Sequence, residues 1–127
     1  MTIAYDAGAL IAAASGDRTL WADHRVRLES GRRPVTTAPV VAQVSRSARQ
    51  VQLHRFLRGC EVRPMTADHA HPVGALLAAT GTSDVVDAHL VHLAATESVT
   101  TILTSDVGDI GRLLDGLQAR RIDVRAI

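Results

Sequence analysis

Aromatic residues are almost missing from this sequence, which holds one Trp, one Tyr and one Phe in 127 residues. A core must therefore be built from Ala, Val, Leu and Ile, a composition that suits helices packed on a buried sheet. Hydrophobic residues make up 46% and charged residues 21%, which is ordinary for a folded domain and excludes a disordered chain. The length predicts one compact domain over residues 1–127.

Cysteine and long apolar segments are also scarce. The lone Cys60 excludes an internal disulfide and a thiolate zinc site, so a reducing cytosol is the simplest setting. No apolar run approaches the ~20 residues that a membrane helix needs. The first residues include no basic segment and do not predict a signal peptide. We therefore expect a cytoplasmic protein with no membrane partner.

Lysine is absent, and all 14 basic residues are arginine. The net charge of +1 is too small to indicate a nucleic-acid partner by itself. Arginine binds phosphates in bidentate fashion, which is compatible with RNA, although GC-rich coding explains the bias equally well. One group, predicted on successive helical turns, is expected either to receive phosphates or to form a solvated face: Arg46, Arg49, Arg55 and Arg58. Arg32 and Arg33, in a predicted loop, carry no functional indication.

Strand-like and helix-like segments alternate along the chain. The predicted strands cover residues 3–6, 34–37, 61–65, 100–104 and 122–127. The predicted helices cover residues 7–14, 18–28, 39–48, 51–57, 67–79, 84–97 and 107–117. This alternation predicts an α/β fold with a mostly parallel sheet.

Two aspartates follow predicted strands. Asp6 ends the first strand and Asp106 ends the fourth. Because ligands bind beyond the carboxyl ends of parallel strands, where the strand order reverses, both residues are expected on the functional edge of the sheet. Each aspartate taken alone is equally explained as a helix N-cap.

Further acids open the helices at 84–97 and 107–117. On a helical wheel drawn at about 100° per residue, Asp87 lies at the edge of the apolar stripe of the helix at 84–97, and Asp84 lies about 60° further round this helix. A carboxylate in that position costs free energy unless it is paired or bound to metal. The alternative is a capping role for Asp84 and complementation of the helix dipole by Asp87 and Asp109. Carboxylates that converge from several segments would bind Mg²⁺, which enables phosphodiester cleavage.

Three segments of the chain together resemble the acidic motifs of PIN domains. They are Asp6 with residues 7–11, residues 83–88, and residues 103–109, and their order and approximate spacing match. The small size resembles the VapC toxins of bacterial toxin–antitoxin pairs, and the match covers essentially the whole chain. The resemblance implies a three-layer α/β/α fold whose central parallel sheet has about five strands in the order 3-2-1-4-5.

The resemblance also implies an activity and partners. The activity would be an endoribonuclease that depends on Mg²⁺ or Mn²⁺, and the partners would be RNA, a VapB-like antitoxin and a second copy of the chain. By motif match, Asp6 and Asp87 would be the principal metal ligands and Asp106 a second-site or water-mediated ligand. Asp84 and Asp109 would support them.

Two hydroxyl side chains lie next to the last acidic motif. The hydroxyl groups of Thr104 and Ser105, just before Asp106, could orient a metal-bound water, although strand-end hydrogen bonds explain them equally well.

PIN domains usually carry a glutamate in the helix after the second strand, and the matching residue here is Gln43. A neutral amide can still offer a carbonyl oxygen or hold a water, but one negative charge is lost. We expect weaker metal binding, which Asp84 could compensate, or a degenerate domain that binds RNA or antitoxin with little cleavage.

The histidines are expected mainly at the surface, and two other classes of α/β protein are disfavoured. His89 and His92 are predicted on the side of their helix away from the apolar stripe, as surface or interface residues. His69 and His71 are expected in solvent. A phospho-receiver domain is disfavoured because the chain lacks lysine, and a Rossmann enzyme because no Gly-x-Gly-x-x-Gly follows a strand.

Overall fold

The computed structural model describes residues 2–119 and 121–127. Its strands form one all-parallel sheet in the order β3-β2-β1-β4-β5. The strands are β1 (Thr2–Tyr5), β2 (Val35–Thr37), β3 (Glu61–Arg63), β4 (Val99–Thr104) and β5 (Asp123–Ala126). The α/β class, the parallel sheet and the order 3-2-1-4-5 are therefore confirmed.

Seven α-helices connect and cover the strands in the described part of the chain. They are α1 (Ala7–Ala14), α2 (Arg18–Glu29), α3 (Ala38–Val44), α4 (Val51–Arg58), α5 (Ala70–Thr80), α6 (Val85–Thr96) and α7 (Val107–Gly116). A 3₁₀ turn (Ala67–His69) precedes α5. None of these helices is long and apolar enough to cross a bilayer.

Side-chain caps fix where several helices begin. The Thr37 hydroxyl accepts a hydrogen bond from the backbone of Val40 and Pro39 lies in the first turn, which together start α3 directly after β2. Aspartates cap α1, α6 and α7 in the same way. The residues that open these helices therefore also stand at the end of the sheet where the strands terminate.

Two cores lie on opposite faces of the sheet and give the expected three layers. One face packs α1 to α4 on residues such as Tyr5 and Leu103, and the other packs α5, α6 and α7 on residues such as Ala4 and Ile102. The three aromatic residues all meet in the first core: Phe56 lies 5.1 Å, between ring centroids, from both Tyr5 and Trp21. The scarce aromatics are thus concentrated under α2 and α4.

The strand order reverses between β1 and β4. Strands β2 and β3 extend to one side of β1, whereas β4 and β5 extend to the other. The register pairs Tyr5 with Leu103, so both strands end at the same level. A crevice for ligands is expected at this level because the following connections diverge to opposite faces.

One predicted helix is shorter in the structure. The helix expected over 39–48 ends at Val44 because Ser45 takes an extended conformation. The Gln50 side chain then accepts hydrogen bonds from the backbone of Arg46 and Ser47 and donates one to the Val44 carbonyl. Arg46 and Arg49 consequently lie in a turn between α3 and α4, and not on successive helical turns as predicted.

Candidate functional site

Asp6 is a buried carboxylate at the carboxyl end of β1. Its side chain is 3% exposed, and its Oδ1 accepts a 2.6 Å hydrogen bond from the backbone of Ala7 as the N-cap of α1. Its Oδ2 accepts a 2.5 Å hydrogen bond from the hydroxyl of Thr104, the last residue of β4. Asp6 therefore caps α1 and also lies at the carboxyl ends of the central strands, the two alternatives that the sequence offered.

Thr104 ties the two central strands together at this edge. It is completely buried, and its hydroxyl oxygen also accepts a 2.9 Å hydrogen bond from the backbone of Asp106. The hydroxyl therefore donates to one acid and accepts from the backbone of another. This arrangement fixes the positions of Asp6 and Asp106 relative to each other across the strand switch. Ser105, which lies between Thr104 and Asp106 in the chain, is exposed.

Two further acids come from the first turn of α6. Asp84 caps this helix: its Oδ1 accepts a 3.0 Å hydrogen bond from the backbone of Asp87. Asp87 is half-buried and Asp84 is exposed. Helix α6 packs against both α3 and β4, which brings its first turn to the crevice beyond β1 and β4.

The pKa of Asp87 shows that the acids meet. Several causes together raise this pKa from 3.8 to about 7: burial is the largest, followed by the negative charges of Asp6 and Asp84, a hydrogen bond with Asp84 and the negative charge of Asp106. The charges among these causes all belong to carboxylates. Carboxylates from three distant segments of the chain thus repel one another in one place.

Asp106 and Asp109 complete the group at the start of α7. Asp106 caps this helix and accepts a 3.2 Å hydrogen bond from the backbone of Asp109. A side-chain hydrogen bond with Asp106 and its negative charge raise the pKa of Asp109, with a smaller contribution from the charge of Asp84, while Arg112 opposes the rise. We call the resulting site the acidic crevice: Asp6, Asp84, Asp87, Asp106 and Asp109.

The acidic crevice fits a hard divalent cation by its chemistry. Every member is a carboxylate, the ligand that Mg²⁺ and Mn²⁺ prefer, and the mutual repulsion would be relieved by a cation. Within residues 2–119 and 121–127, no three Asp, Glu, His or Cys side chains already stand in a ligating arrangement. Asp84 and Asp106 instead point back to cap their helices, and because both are exposed, rotation of their side chains is unhindered by a core.

Gln43 lies near the end of α3 with an exposed side chain. Helix α3 packs against α6, the helix that carries Asp87. Arg46 and Arg49 follow in the exposed turn after α3. Of the five residues predicted to contact substrate or its water, Gln43, Arg46, Arg49 and Ser105 are therefore accessible to solvent, whereas Thr104 is buried and its hydroxyl bonds to Asp6.

Gly8 is a residue of the site that the sequence interpretation did not select. A Cβ at this position would lie 2.6 Å from the Cβ of Ser105 and 2.9 Å from its backbone nitrogen. Glycine thus allows the first turn of α1 to touch the connection between β4 and Asp106. The only signal in the sequence was a glycine two residues after the strand-end Asp6.

The prediction that His89 lies at the surface is wrong. His89 is completely buried in α6, a helix covered by α3, α5, α7 and β4 and therefore buried on most sides. Its Nε2 lies 3.0 Å from Nδ1 of His69, which also accepts a hydrogen bond from the backbone of Thr66. His69 is half-buried for this reason, whereas His71 is exposed as expected. His92 remains partly exposed.

Comparisons with known proteins agree with the fold. No protein-family model and no curated protein sequence matches this chain. A chain of the crystal structure of VapBC2 from Rickettsia felis, bound to a DNA fragment from their promoter, is similar in structure with a TM-score of 0.74. The match covers 100% of this chain and 99% of that one at 16% sequence identity. At this identity the likeness shows a shared fold, which is the PIN-like fold that the acidic motifs resemble.

Proposed function

We propose that this chain is a metal-dependent endoribonuclease of the VapC type, which hydrolyses RNA phosphodiester bonds at the acidic crevice. The observation that carries the proposal is the meeting of Asp6, Asp87 and Asp106 at the strand switch of a PIN-like sheet. Ligand sites of open parallel sheets lie at such a switch. Among the described residues, Arg112 lies 3.8 Å from Asp109 at the edge of this group, and the inner acids Asp6 and Asp87 form no ion pair with a basic side chain; carboxylates grouped in this way suit a divalent ion.

Each member of the crevice has a proposed role. Asp6 and Asp87 would be the principal ligands, with Asp106 at a second or water-mediated position and Asp84 and Asp109 in support. Bound Mg²⁺ or Mn²⁺ would supply polarisation of the scissile phosphate, a lower pKa for the attacking water and stabilisation of the leaving oxygen. Thr104 would hold the Asp6 carboxylate in place through its 2.5 Å hydrogen bond.

The proposed substrate is RNA. Arg46 and Arg49, in the exposed turn after α3, would contact its phosphates, and Gln43 would offer an amide to a water or to the substrate. Ser105 is exposed next to Asp106 and would orient a water near the scissile bond. Because the pKa of Asp87 is about 7 when no cation is present, its carboxyl group is partly protonated near neutral pH, and binding of a cation would release this proton.

We further propose a VapB-like antitoxin as partner and a homodimer as the assembly. The similar Rickettsia felis structure contains VapBC2 with promoter DNA, which supports an antitoxin partner at the level of a shared fold. Sedimentation of the purified chain, alone and after co-expression with the neighbouring small open reading frame, tests both statements. A monomer that no encoded neighbour binds would contradict them without affecting the proposed cleavage.

The proposed activity is tested by incubating purified protein with structured RNA in Mg²⁺, in Mn²⁺ and in EDTA. We expect cleavage with either cation and none in EDTA. Asp87→Asn should abolish cleavage, whereas Asp115→Asn, at an exposed position of α7 outside the crevice, is the matched control and should cut like the wild type. Cleavage by Asp87→Asn at the wild-type rate would show that the site assignment is wrong.

A PIN-like binding module with little nuclease activity is the second candidate. Gln43 favours it, because the glutamate charge that PIN domains usually carry in this helix is missing. The module would bind RNA or antitoxin equally well in EDTA. It would also be unaffected by Asp6→Asn, which separates it from the nuclease.

A further inference from the structure

A small cavity lies on the face of the sheet that carries α1 to α4. Its volume is about 80 Å³, and four arginines line it. Arg27 comes from α2, Arg32 and Arg33 come from the loop before β2, and Arg125 comes from β5. We call this cavity the arginine pocket. Four arginines from three separate segments of the chain thus line one cavity.

Negative charge balances these arginines only in part: Asp123 pairs with Arg125, and Glu61 and Glu97 line an adjacent pocket together with Arg32 and Arg33. No acidic residue lines the pocket. Arg125 pairs with Asp123 at 2.9 Å, but within residues 2–119 and 121–127 no carboxylate lies within 4.0 Å of the guanidinium groups of Arg27, Arg32 or Arg33. Like charges around one cavity repel, and a bound anion would turn this repulsion into attraction.

Hydrogen bonds hold two of the guanidinium groups in place. Arg27 Nη1 donates a 2.9 Å hydrogen bond to the hydroxyl of the buried Tyr5, and Arg33 Nη2 donates one of 2.8 Å to the Cys60 carbonyl. Each contact uses one nitrogen, and a guanidinium carries five N–H donors. The remaining donors are available to a ligand. Because these two side chains are already ordered before a ligand binds, binding loses less conformational entropy.

The size and polarity of the pocket select a ligand class. A volume of about 80 Å³ is well above the roughly 10–15 Å³ that one water needs, so the pocket has room for one tetrahedral oxyanion. The hydroxyl-bearing Thr101 is part of the lining. Several guanidinium groups together recognise phosphate oxygens in bidentate fashion.

We propose that the arginine pocket binds a single phosphoryl group, carried by free phosphate or by the terminal phosphate of an RNA. The site is distinct from the acidic crevice. Ile3, in its lining, precedes Asp6 by three residues of an extended strand, or about 10 Å, and Thr101 precedes Asp106 by five residues, or about 16 Å. Binding at this pocket does not depend on the proposed nuclease activity.

Calorimetric titration of the full chain with inorganic phosphate in EDTA tests the proposal, with chloride at matched ionic strength as the salt control. We expect saturable binding of phosphate. Arg32→Gln and Arg125→Gln should each weaken it about tenfold, because hydrogen bonds to charged groups contribute that much. Arg25→Gln removes the same charge from an exposed position of α2 outside the lining and should bind like the wild type.

A second arm identifies the carrier of the phosphoryl group. An oligoribonucleotide with a 5′-phosphate is compared with the same oligomer carrying a 5′-hydroxyl, in EDTA to prevent cleavage. A preference for the phosphorylated oligomer that Arg32→Gln removes supports an RNA terminus, and equal binding of the oligomers with retained phosphate binding supports the free anion. The lack of saturable phosphate binding, or equal weakening by Arg25→Gln, overturns the proposal. Binding of polyglutamate that phosphate does not displace overturns it in favour of an acidic protein partner.

Discussion

The Thr104 hydroxyl donates a 2.5 Å hydrogen bond to Asp6 and joins the carboxyl ends of β1 and β4 at the acidic crevice. Thr104→Val keeps the shape and removes the donor, which leaves a buried carboxylate oxygen without this partner. We expect a loss of about 1–3 kcal/mol in the free energy of unfolding and a decrease in cleavage of at least about tenfold. Denaturant titration and cleavage assays measure the two effects.

Thr104→Ser and Thr100→Val are the controls for this prediction. Serine retains the hydroxyl and should restore most of the activity. Thr100 lies in the same strand, but its hydroxyl donates to the Thr2 carbonyl at the other end. If Thr100→Val reduced cleavage as strongly as Thr104→Val, general weakening of β4 would be the cause, and the hydrogen bond to Asp6 would not.

Gly8→Ala should disturb the crevice without adding or removing charge. The new methyl group would overlap Ser105, so the first turn of α1 and the β4–α7 connection must separate. We expect destabilisation of about 1–3 kcal/mol and reduced cleavage. The double variant Gly8→Ala with Ser105→Gly should recover part of the stability, because it removes the side-chain overlap but leaves the backbone nitrogen 2.9 Å from the added Cβ. Gly74→Ala in α5, where nothing lies within 4 Å of the added Cβ, should be neutral or stabilising by up to about 1 kcal/mol.

The acidic crevice should also make stability depend on pH. Asp87 has a native pKa of about 7 against 3.8 as its usual value, so the native state binds more protons than the unfolded state between these values. Stability from this group is therefore complete below about pH 4 and is lost as the pH rises through 7. The loss is on the order of 2 kcal/mol, smaller than the full shift because water screens the half-buried carboxyl.

Asp87→Asn should remove this dependence. In EDTA, the difference in unfolding free energy between Asp87→Asn and the wild type should favour the variant more at pH 8 than at pH 5. Saturating Mg²⁺ should stabilise the wild type at pH 8 and the variant much less. A difference that stays constant with pH would show that Asp87 is not protonated in the native protein.

Gln43→Glu tests whether the lack of a negative charge at position 43 weakens metal binding and cleavage. Helix α3 packs against α6, the helix that carries Asp87, so a carboxylate at position 43 would add negative charge to a helix adjoining the site. We expect tighter binding of Mn²⁺, by several-fold, and cleavage that is equal or faster. Isothermal titration with Mn²⁺ measures the affinity. Gln52→Glu on α4, exposed and away from α6, adds the same charge as a control and should leave the affinity unchanged.

The fold and the convergence of the acidic side chains could be predicted from the sequence, because both follow from local sequence patterns. β-Branched runs followed by capping aspartates mark strand ends, and the alternation with helices requires a parallel sheet. The caps at Asp84 and Asp106 do not contradict a proposed role in metal binding, because both side chains are exposed and can rotate from the helix end toward the crevice.

Other features depend on packing that no local pattern reveals. Gly8 is needed only because Ser105, far along the chain, lies against it. Arg32 and Arg33 meet Arg27 and Arg125 only after the sheet forms, so the loop that holds them gave no indication of a pocket. The turn at Arg46 depends on the Gln50 side chain, which competes with continuation of α3.

His89 was misassigned for the same reason, and its burial gives the last prediction. The Nδ1 of His69 accepts a hydrogen bond from the backbone of Thr66 and so carries a lone pair, which means that His89 donates to it from Nε2. The Nδ1 of His89 is then an unprotonated acceptor, and within the described residues it is buried without a partner. Burial, followed by the charges of His69 and His92, lowers the pKa of His89 to about 4.

The unfolded chain binds a proton at His89 below about pH 6.5, whereas the native state does so only near 4. Stability from this group is therefore present above pH 6.5 and is lost as the pH falls toward 4, by about 2–3 kcal/mol. His89→Gln keeps a donor for His69 and removes the titration, so its unfolding free energy should fall less than that of the wild type between pH 7 and pH 5. His71→Gln, at an exposed position of α5, is the control. If the unfolding free energies of His89→Gln and the wild type changed in parallel with pH, His89 would be protonated in the folded protein, because only a shifted pKa makes the two differ. The contribution of Asp87 to the pH dependence has the opposite sign, but it is the same in both proteins and cancels in the comparison.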